Sequence, residues 1–302
     1  MCPQRGILRK GDAAMFRTVS VIGGDLRQLT LADLLEADGY DVMIFGFDRD
    51  IKTGELCLAR DIDEALLADM IILPVPVSFD NRTINMPFSD DPLLIKELVS
   101  GINPLSVVFG GRISPELSAA LGARGIMHRD YMKRDELAIR NAVPTAEGAI
   151  EIAIAETPIT VHGSKCLVLG YGKVGKVLAK ALDGLGAVTY VEARKYADLA
   201  LIESHGCIPL TMNETKTRIN EFDIIFNTIP ALVLTKDVLE KVDPRTLIID
   251  LASKPGGVDF KAASELGIKV IWALSLPGKV APVTAGIIIK DTITNIIGEL
   301  GL

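Results

Sequence analysis

The chain has 302 residues, carries a net charge of −7 at pH 7, and is 49% hydrophobic and 24% charged. This composition is typical of a globular protein that is long enough for two domains. The negative charge argues against a general binder of nucleic acid or of membrane surfaces. No apolar stretch reaches the roughly 18 residues that a membrane span needs.

Further classes of protein are excluded by the cysteines, the histidines and the N-terminal segment, namely metal-binding and secreted proteins. The four cysteines and three histidines lack the spacing of a metal site, so no metal is predicted. The cysteines are interpreted as reduced thiols of a cytoplasmic protein. The first 14 residues contain charges but no apolar core, which argues against a secretory signal. Because Met15 comes just before the first apolar run, we interpret residues 1–14 as a non-native or alternative start.

Apolar runs alternate with helical patterns along the first half of the chain. Continuous apolar strands of this kind indicate a parallel sheet that is covered on both faces. A helix follows the first strand and ends at Gly39. Strands are predicted over 18–22, 41–47, 69–77, 105–111 and 125–128.

The middle of the chain predicts a helix that joins two domains. The pattern is helical before Pro144, which is expected to interrupt it, resumes afterwards, and is broken again at Pro158. The second half repeats the alternation, with strands predicted over 166–169, 188–192, 223–227, 247–250 and 269–273.

The predicted fold class is therefore α/β, with two Rossmann-like doubly wound parallel-sheet domains. A bridging helix joins them, and a C-terminal helix is expected to pack back on the first domain. The predicted boundaries are 15–140 for an N-terminal substrate domain, 141–160 for the bridging helix, 161–282 for a dinucleotide-binding domain and 283–302 for the returning helix.

Gly170, Gly172 and Gly175 form a G-x-G-x-x-G motif between an apolar strand and a helix. The first glycine turns the chain, the second lets a pyrophosphate approach the backbone, and the third allows the helix to pack closely on the strand. The N-terminus of the helix, which includes Lys173 and Val174, offers free N–H groups and a positive dipole end. The motif predicts a dinucleotide site; the alternative is a βαβ unit whose glycines serve packing alone.

The end of the following strand bears on the choice of cofactor. Glu192 occupies the position where a carboxylate often binds the ribose hydroxyls of NAD, but Arg194 and Lys195 follow at once. An arginine there can bind a 2′-phosphate with two hydrogen bonds. NADP is therefore the predicted cofactor, with NAD possible; the alternative is that both cations belong to a solvated helix start.

Several segments together resemble one family, the A subunits of dipicolinate synthase. These segments are VIGGDLRQL (21–29), GFD (46–48), ILPVPV (72–77), RNAVPTAEGAI (140–150), LGYGKVG (169–175), FNTIPALVL (226–234), IIDLASKPGGVDF (248–260) and LSLPGKVAPVTAG (274–286). The resemblance runs from about Met15 to the C-terminus. The glycine motif alone is generic, whereas the order of the other motifs is specific.

This resemblance implies an oxidation in the formation of spore dipicolinate. A cyclic dihydrodipicolinate or 4-hydroxy-tetrahydrodipicolinate would lose hydride to NAD(P)+ and become an aromatic pyridine dicarboxylate. The resemblance also implies that the partner is a flavoprotein-like B subunit, and that the location is the mother cell of a sporulating bacterium. A homo-oligomer is predicted as well.

A dicarboxylate substrate needs cationic or N–H-rich sites, and the first domain offers several. Arg27 and Gln28 follow the Gly23–Gly24 turn at the start of a helix, where backbone N–H groups could share one carboxylate with the guanidinium. Asp25 is either an N-cap or a residue that orients Arg27 or removes a proton. Arg112 follows another strand at the edge where such sheets bind ligands.

Other candidates lie near the joint and at strand ends of the second domain. Glu147 is either a base or a carboxylate in the first turn of a helix, and Lys254 could contact a carboxylate or a ring nitrogen. Asp25, Glu147 and Lys254 are the candidate acids or bases. The remaining predicted cofactor-binding residues are Asn227, Thr228 and Pro230 near the adenosine or ribose, Ala252 and Ser253 on the nicotinamide side, and Pro277 and Gly278, whose backbone could hold the carboxamide.

Two other functions stay open at this point. One is a different two-domain NAD(P)-dependent dehydrogenase that acts on a hydroxy or amino acid. The other is a non-catalytic subunit that binds the dinucleotide and recruits a partner.

Overall fold

The computed structural model describes residues 16–49 and 51–302, so the interpretation of residues 1–14 lies outside the described residues. The chain divides into two compact units. The first contains residues up to Ala138 together with Pro282–Leu302, and the second contains Ile139–Ala281.

The first unit is built on a parallel sheet in the order β3-β2-β1-β4-β5-β6. The chain builds β1, β2 and β3 outwards and then returns to place β4 on the other side of β1. This reversal creates a crevice at the carboxyl ends of β1 and β4, where open α/β sheets bind ligands. The strands are β1 Thr18–Ile22, β2 Asp41–Phe45, β3 Cys57–Leu58, β4 Met70–Ile72, β5 Val107–Gly110 and β6 Met127–Asp130.

Helices cover both faces of this sheet, so its central strands are largely apolar and buried, with Ser20 of β1 as a buried polar exception. Val19, Val21 and Phe109 belong to the core on one face, and Ile22, Ile71 and Val108 to the core on the other. The helices that follow these strands are α1 Leu26–Ala37, α2 Ile62–Ala65, α3 Ile95–Gly101 and α4 Pro115–Ala123.

The long helix α5, Asp135–Glu156, starts in the first unit and continues through the second. The predicted interruption at Pro144 is wrong, because this proline lies inside a continuous helix. A proline removes one backbone N–H donor, and the neighbouring Thr145 adds a side-chain bond by donating its hydroxyl to the carbonyl of Asn141 at 2.7 Å.

The second unit repeats the plan with a parallel sheet in the order β12-β11-β10-β7-β8-β9. Its chain reversal places the crevice at the carboxyl ends of β7 and β10. The strands are β7 Lys165–Leu169, β8 Val188–Glu192, β9 Ile208–Leu210, β10 Ile224–Asn227, β11 Leu247–Asp250 and β12 Lys269–Trp272. The helices are α6 Lys173–Gly184, α7 Tyr196–Ser204, α8 Met212–Arg218, α9 Lys236–Leu239, α10 Phe260–Glu265 and α11 Leu276–Val280.

The last helix, α12 (Pro282–Leu300), packs back on α1 in the first unit, as predicted. Gly286 permits the close approach, since a Cβ there would lie 2.8 Å from the carbonyl oxygen of Arg27. An ion pair between Lys290 and Asp38 at 2.6 Å adds to the contact. The predicted fold class, two doubly wound α/β units with a returning C-terminal helix, is thus confirmed.

Two features are absent from residues 16–49 and 51–302. No helix there is long and apolar enough to cross a membrane. The same residues contain no group of three or more side chains that could hold a metal ion.

Candidate dinucleotide site and its surroundings

The glycine motif forms the turn from β7 to α6. Gly170 has φ +92°, a left-handed conformation that favours glycine. Gly175 packs on it so closely that a Cβ would lie 2.1 Å from the carbonyl oxygen of Gly170. These two glycines are therefore required by the turn and by the packing of the helix on the strand.

Gly172 has a different environment, and it bears on the ligand. It is the N-cap of α6, with φ −81°, and makes no side-chain capping bond. A Cβ on Gly172 would meet no atom of the described residues within 4 Å, so packing within that part of the chain does not require a glycine here. Open space at the N-terminus of α6, where the N-cap makes no side-chain capping bond, fits a pyrophosphate.

Glu192 ends β8 beside the glycine turn and is buried, with 3% of its surface exposed. Its Oε1 atom has no hydrogen-bond partner in the described part of the chain. Burial raises the pKa of this carboxyl, while the charge of Arg194 and the N–H of Gly170 act in the opposite direction. A buried acceptor without a partner at this position fits a ribose hydroxyl.

Arg194 and Lys195 lie in the turn between β8 and α7, and both are exposed. Lys195 is the N-cap residue of α7 and makes no side-chain capping bond. Both cations therefore lie two and three residues after the buried Glu192, at the carboxyl edge of the sheet, where the glycine turn also lies.

A contact that the sequence analysis missed ties the glycine turn to α7. Tyr171, the residue between the first two glycines, has its hydroxyl 2.9 Å from Nδ1 of His205. The ammonium of Lys176 lies 5.2 Å from the centre of the Tyr171 ring, which gives a cation–π contact. No sequence pattern indicated this contact, because Tyr171 and His205 are 34 residues apart.

Asn227 and Asp250 form a buried network below the ends of β10 and β11. The Asn227 amide donates to Oδ1 of Asp250 at 2.8 Å and to the carbonyl of Ile229 at 3.1 Å. Asp250 also accepts N–H bonds from Ala252 at 3.1 Å and from Gly257 at 2.8 Å. Asn227 is completely buried, and its amide is hydrogen-bonded within the chain, where it links the ends of β10 and β11.

The other predicted residues at these strand ends have mixed environments. Thr228 is half-buried and donates its hydroxyl to the carbonyl of Leu169 at 2.8 Å, while Pro230 is exposed in the loop after β10. Ala252 is buried and its carbonyl accepts the indole N–H of Trp272 at 3.0 Å. Ser253 and Lys254 are exposed in the same loop, so these two remain available to a ligand.

The sequence analysis predicted that the backbone of Pro277 and Gly278 holds the carboxamide of the cofactor. Both residues lie inside the short helix α11 rather than in an open turn. The N–H of Gly278 donates to the carbonyl of Ser275 at 3.2 Å, and a proline has no N–H. Ser275 itself is exposed and adopts a left-handed conformation with φ +60°.

In the first unit, the start of α1 is closed by its own side chains. Asp25 is the N-cap, and it forms a capping box with Gln28. The guanidinium of Arg27 binds both oxygens of Asp25, at 2.8 and 2.7 Å, and the carbonyl of Val75 at 3.0 Å. The N–H groups of Arg27 and Gln28 and part of the Arg27 guanidinium are thus engaged within the chain, and the charge of Arg27 is balanced by Asp25.

Gln28 and Tyr131 continue this buried region. Gln28 is completely buried; its Oε1 accepts the N–H of Asp25 at 3.2 Å, and its Nε2 has no hydrogen-bond partner among the described residues. Tyr131 is also fully buried and donates its hydroxyl to the carbonyl of Leu73 at 3.0 Å. Burial raises the pKa of Tyr131 far above its ordinary value, and the charge of Arg27 opposes this only in part.

Arg112 is an exposed cation at the end of β5. Its φ of +59° is unusual for a residue with a side chain. The turn is held by Asp130, which accepts the N–H groups of Arg112 and Ile113 at 3.0 and 3.1 Å. The sequence analysis did not identify Asp130. A strained backbone conformation that a neighbouring side chain holds in place, like that of Arg112, is often found at a functional site.

Glu147 lies in the middle of α5, not in a first turn, because the helix begins at Asp135. Its side chain is exposed and lines a shallow groove together with residues of α5 and α6. The expectation of a carboxylate facing a helix dipole at the N-terminus is therefore wrong.

Comparisons with known proteins agree with this geometry. A sequence profile described as shikimate / quinate 5-dehydrogenase matches residues 151–271, which hold the glycine turn and the second sheet. The two units and this turn have the fold of Rossmann-type dehydrogenases, a class that uses nicotinamide dinucleotides.

The family is shown by more specific matches. A profile for the N-terminal domain of the dipicolinate synthase A subunit matches residues 18–132. The A subunit of dipicolinate synthase from Bacillus subtilis (strain 168) is 38% identical over 287 residues, which cover 93% of this chain and 96% of the relative. The chain belongs to the family of dipicolinate synthase A subunits.

Two crystal structures of such subunits have the same fold. The one from Bacillus subtilis is 36% identical with a TM-score of 0.84, covering 95% of this chain and 97% of its own. The one from Bacillus halodurans is 35% identical with a TM-score of 0.84, covering 93% and 97%.

Proposed function

We propose that this chain oxidises a cyclic dihydrodipicolinate, or its 4-hydroxy-tetrahydro precursor, to dipicolinate. In this reaction the ring loses a hydride to NAD(P)+ and a proton to a base; the hydroxylated precursor also loses water. The observation that carries the proposal is the glycine turn with its open N-cap at Gly172, together with the buried Oε1 of Glu192, which has no hydrogen-bond partner in residues 16–49 and 51–302. The family to which the chain belongs adds to it.

The protein's own contribution is mainly binding and orientation. Aromatisation makes the oxidation favourable, so holding the ring at the hydride acceptor is the main task. The uncapped start of α6 would hold the pyrophosphate, and the network of Asn227 and Asp250 would keep the loops after β10 and β11 in place. The bound dinucleotide would supply the hydride acceptor.

For the cofactor we propose NADP. Arg194 and Lys195 are exposed next to the ribose position and could bind a 2′-phosphate. An ionised Glu192 would oppose binding of the 2′-phosphate, because the carboxylate and the phosphate are both negatively charged. Its burial raises its pKa and so makes the neutral form easier to reach; neutral Glu192 can bond to the ribose without repelling the phosphate.

For the substrate, the first unit favours Arg112 over Arg27. The Arg27 charge is already balanced by Asp25 and the residue is 8% exposed, whereas Arg112 is exposed at the carboxyl edge of the sheet. In the second unit, Lys254 is the exposed candidate for a proton transfer or for a carboxylate contact. Asp25, engaged with Arg27, is less suited to act as the base.

We further propose that a second, flavoprotein-like subunit takes part, because the family consists of A subunits. We infer the mother cell of a sporulating bacterium as its location on the same ground. The test is to mix the chain with NADP+ or NAD+ and freshly generated dihydrodipicolinate, with and without that partner, and to follow absorbance at about 340 nm, where reduced nicotinamide absorbs.

Growth of reduced cofactor together with dipicolinate is the expected result, with NADP+ faster than NAD+. Tight dinucleotide binding without turnover in every combination, including the one with the partner, would contradict the catalytic proposal and favour a purely binding role.

A further inference from the structure

A groove lies between α3 and α4 on the surface of the first unit. We call it the α3/α4 groove; its volume is about 640 Å³. Its floor is apolar, because Val99 and Leu117 are buried at the bottom and half-buried apolar side chains continue the surface. The half-buried residues are Leu94, Ile95 and Ala120. All of these residues belong to one compact unit.

The groove is elongated along two helices that run side by side. Since α3 leads into β5 and α4 follows it, both helices run opposite to the parallel strands. The residues of α4 that line the groove extend from the N-cap Ser114 to the C-cap Arg124, a span of about 15 Å at the rise of an α-helix. A long furrow between two helices matches one face of a third helix, whereas a compact small molecule would leave much of it empty.

Cations lie at both ends of the groove. Arg82 and Lys96 lie at the start of α3, where the carbonyl of Arg82 accepts the N–H of Ile95 at 2.9 Å. At the other end, the guanidinium of Arg124 donates to the carbonyl of Val99. None of the three cations forms an ion pair with a residue that the structure describes. Their charges are therefore available to an anionic partner.

One carboxylate opposes these cations. Among the described residues that line the groove, Glu116 alone is acidic. Its own backbone N–H and the hydroxyl of Ser114 lower its pKa, so it is ionised at neutral pH. The groove therefore has a net positive charge, in a chain whose net charge is −7. An acidic segment is attracted to this surface and repelled by the net charge of the rest of the chain.

We propose that the α3/α4 groove binds an acidic amphipathic helix of a partner protein. The apolar face of that helix covers Val99 and Leu117 with side chains at helical spacing. Its carboxylates pair with Arg82 and Lys96 at one end and with Arg124 at the other. The charges select the partner, while the apolar floor supplies the buried area.

The experiment measures the affinity of the full chain for three synthetic helical peptides by fluorescence anisotropy. The peptides have about 14 residues, or about 21 Å of helix, and share leucines that are spaced for one helix face. Their flanking residues are glutamate, glutamine or lysine. The glutamate peptide should bind at least about tenfold more tightly than the lysine peptide, with the glutamine peptide between them, and added salt should reduce this difference.

Two substitutions locate the binding in the groove. Ala120→Glu places a carboxylate on the apolar floor and should lower the affinity for the glutamate peptide by about tenfold or more. Ala119→Glu is the matched control, because Ala119 is exposed on the same helix but does not line the groove; it should bind like the wild type.

Charge reversal keeps the proposal testable if Ala120→Glu fails to fold. Lys96→Glu, at an exposed residue of the groove, should weaken binding of the glutamate peptide and strengthen binding of the lysine peptide, each by about threefold or more. Lys133→Glu makes the same charge change at an exposed residue of the first unit that does not line the groove, and it should leave the order of the peptides unchanged.

Equal affinity for the glutamate and lysine peptides, no binding of the glutamate peptide, or an Ala120→Glu variant that binds it like the wild type would each overturn the proposal. A wild-type dimer in sedimentation that Ala120→Glu dissociates would overturn it too, and would assign the groove to a second copy. Octanoate that displaces the glutamate peptide and binds more tightly would assign the groove to a small carboxylate instead. No arm needs dinucleotide or substrate, so the dehydrogenase proposal is tested separately.

Discussion

The side-chain amide of Asn227 donates a hydrogen bond to Oδ1 of Asp250 at 2.8 Å, and both residues are completely buried. Through this pair, the ends of β10 and β11 are joined below the loops that follow them. Gly257 lies so close that a Cβ would be 2.1 Å from the Asn227 amide nitrogen. The loop after β11 is therefore held by its neighbours before any ligand binds.

Asp250→Asn should destabilise the protein. Asp250 accepts hydrogen bonds from the backbone N–H groups of Ala252 and Gly257. In the asparagine variant, one of these N–H groups would face the side-chain amide N–H instead of an oxygen. Leaving a buried donor unpaired costs about 1–3 kcal/mol, and thermal or urea unfolding measures this loss. Asp237→Asn, at an exposed site on α9, is the control and should change little; equal stability of the two variants would contradict the network.

Tyr171→Phe should weaken dinucleotide binding while leaving the fold intact. The change removes the hydroxyl that bonds to His205 but keeps the ring beneath Lys176. One such hydrogen bond is worth about 0.5–1.5 kcal/mol, so calorimetric titration should show an affinity lower by about two- to tenfold. Tyr196→Phe, at a tyrosine that is 87% exposed, should bind like the wild type.

Arg194→Ala should weaken NADP binding much more than NAD binding. Losing one charge-assisted bond to the 2′-phosphate should cost on the order of 1.5 kcal/mol, which is about tenfold in affinity. Lys241→Ala removes the same charge from an exposed site elsewhere in the second unit and is the control. An equal loss for both cofactors would remove Arg194 from the proposed phosphate site.

Glu192→Gln should stabilise the protein at high pH more than at low pH. Because burial raises the folded-state pKa of Glu192 above the ordinary 4.5, its contribution to stability is present at low pH and is lost as pH rises through the folded-state value. Glutamine does not titrate and avoids this loss. The difference in melting temperature between variant and wild type should grow as pH rises above the ordinary pKa of 4.5 and through the raised folded-state value; Glu203→Gln, at an exposed site on α7, should show no such trend.

Much of the fold could be predicted because its central strands are continuous apolar runs. The bounds predicted from sequence for β8 and β11 match the structure. The edge strands β3 and β9 were missed, because they have two and three residues and are partly exposed. The prediction of α5 was wrong at Pro144, because the rest of a 22-residue helix with one buried face outweighs the loss of one backbone hydrogen bond.

The candidate site was less predictable than the fold. The glycine turn has a local pattern, so its position could be read from the sequence. The roles of Asp250, Asp130 and His205 depend on contacts with residues 18 to 34 positions away, which no local pattern reveals. Arg27 and Asn227 have the chemistry of ligand contacts, but folding gives their polar groups partners within the chain.

The measurement that tests the central claim most directly compares wild type with Gly172→Ala. The fold should tolerate the alanine, because its Cβ would meet no atom within 4 Å, but the added methyl group would obstruct the pyrophosphate. Both proteins are given NADP+ and dihydrodipicolinate, with the flavoprotein-like partner present, and reduced cofactor and dipicolinate are quantified together. We predict equal amounts of the two products from wild type and much less of both from a stably folded Gly172→Ala. Equal turnover by the two proteins, or cofactor bound by wild type with no dipicolinate formed, would contradict the account.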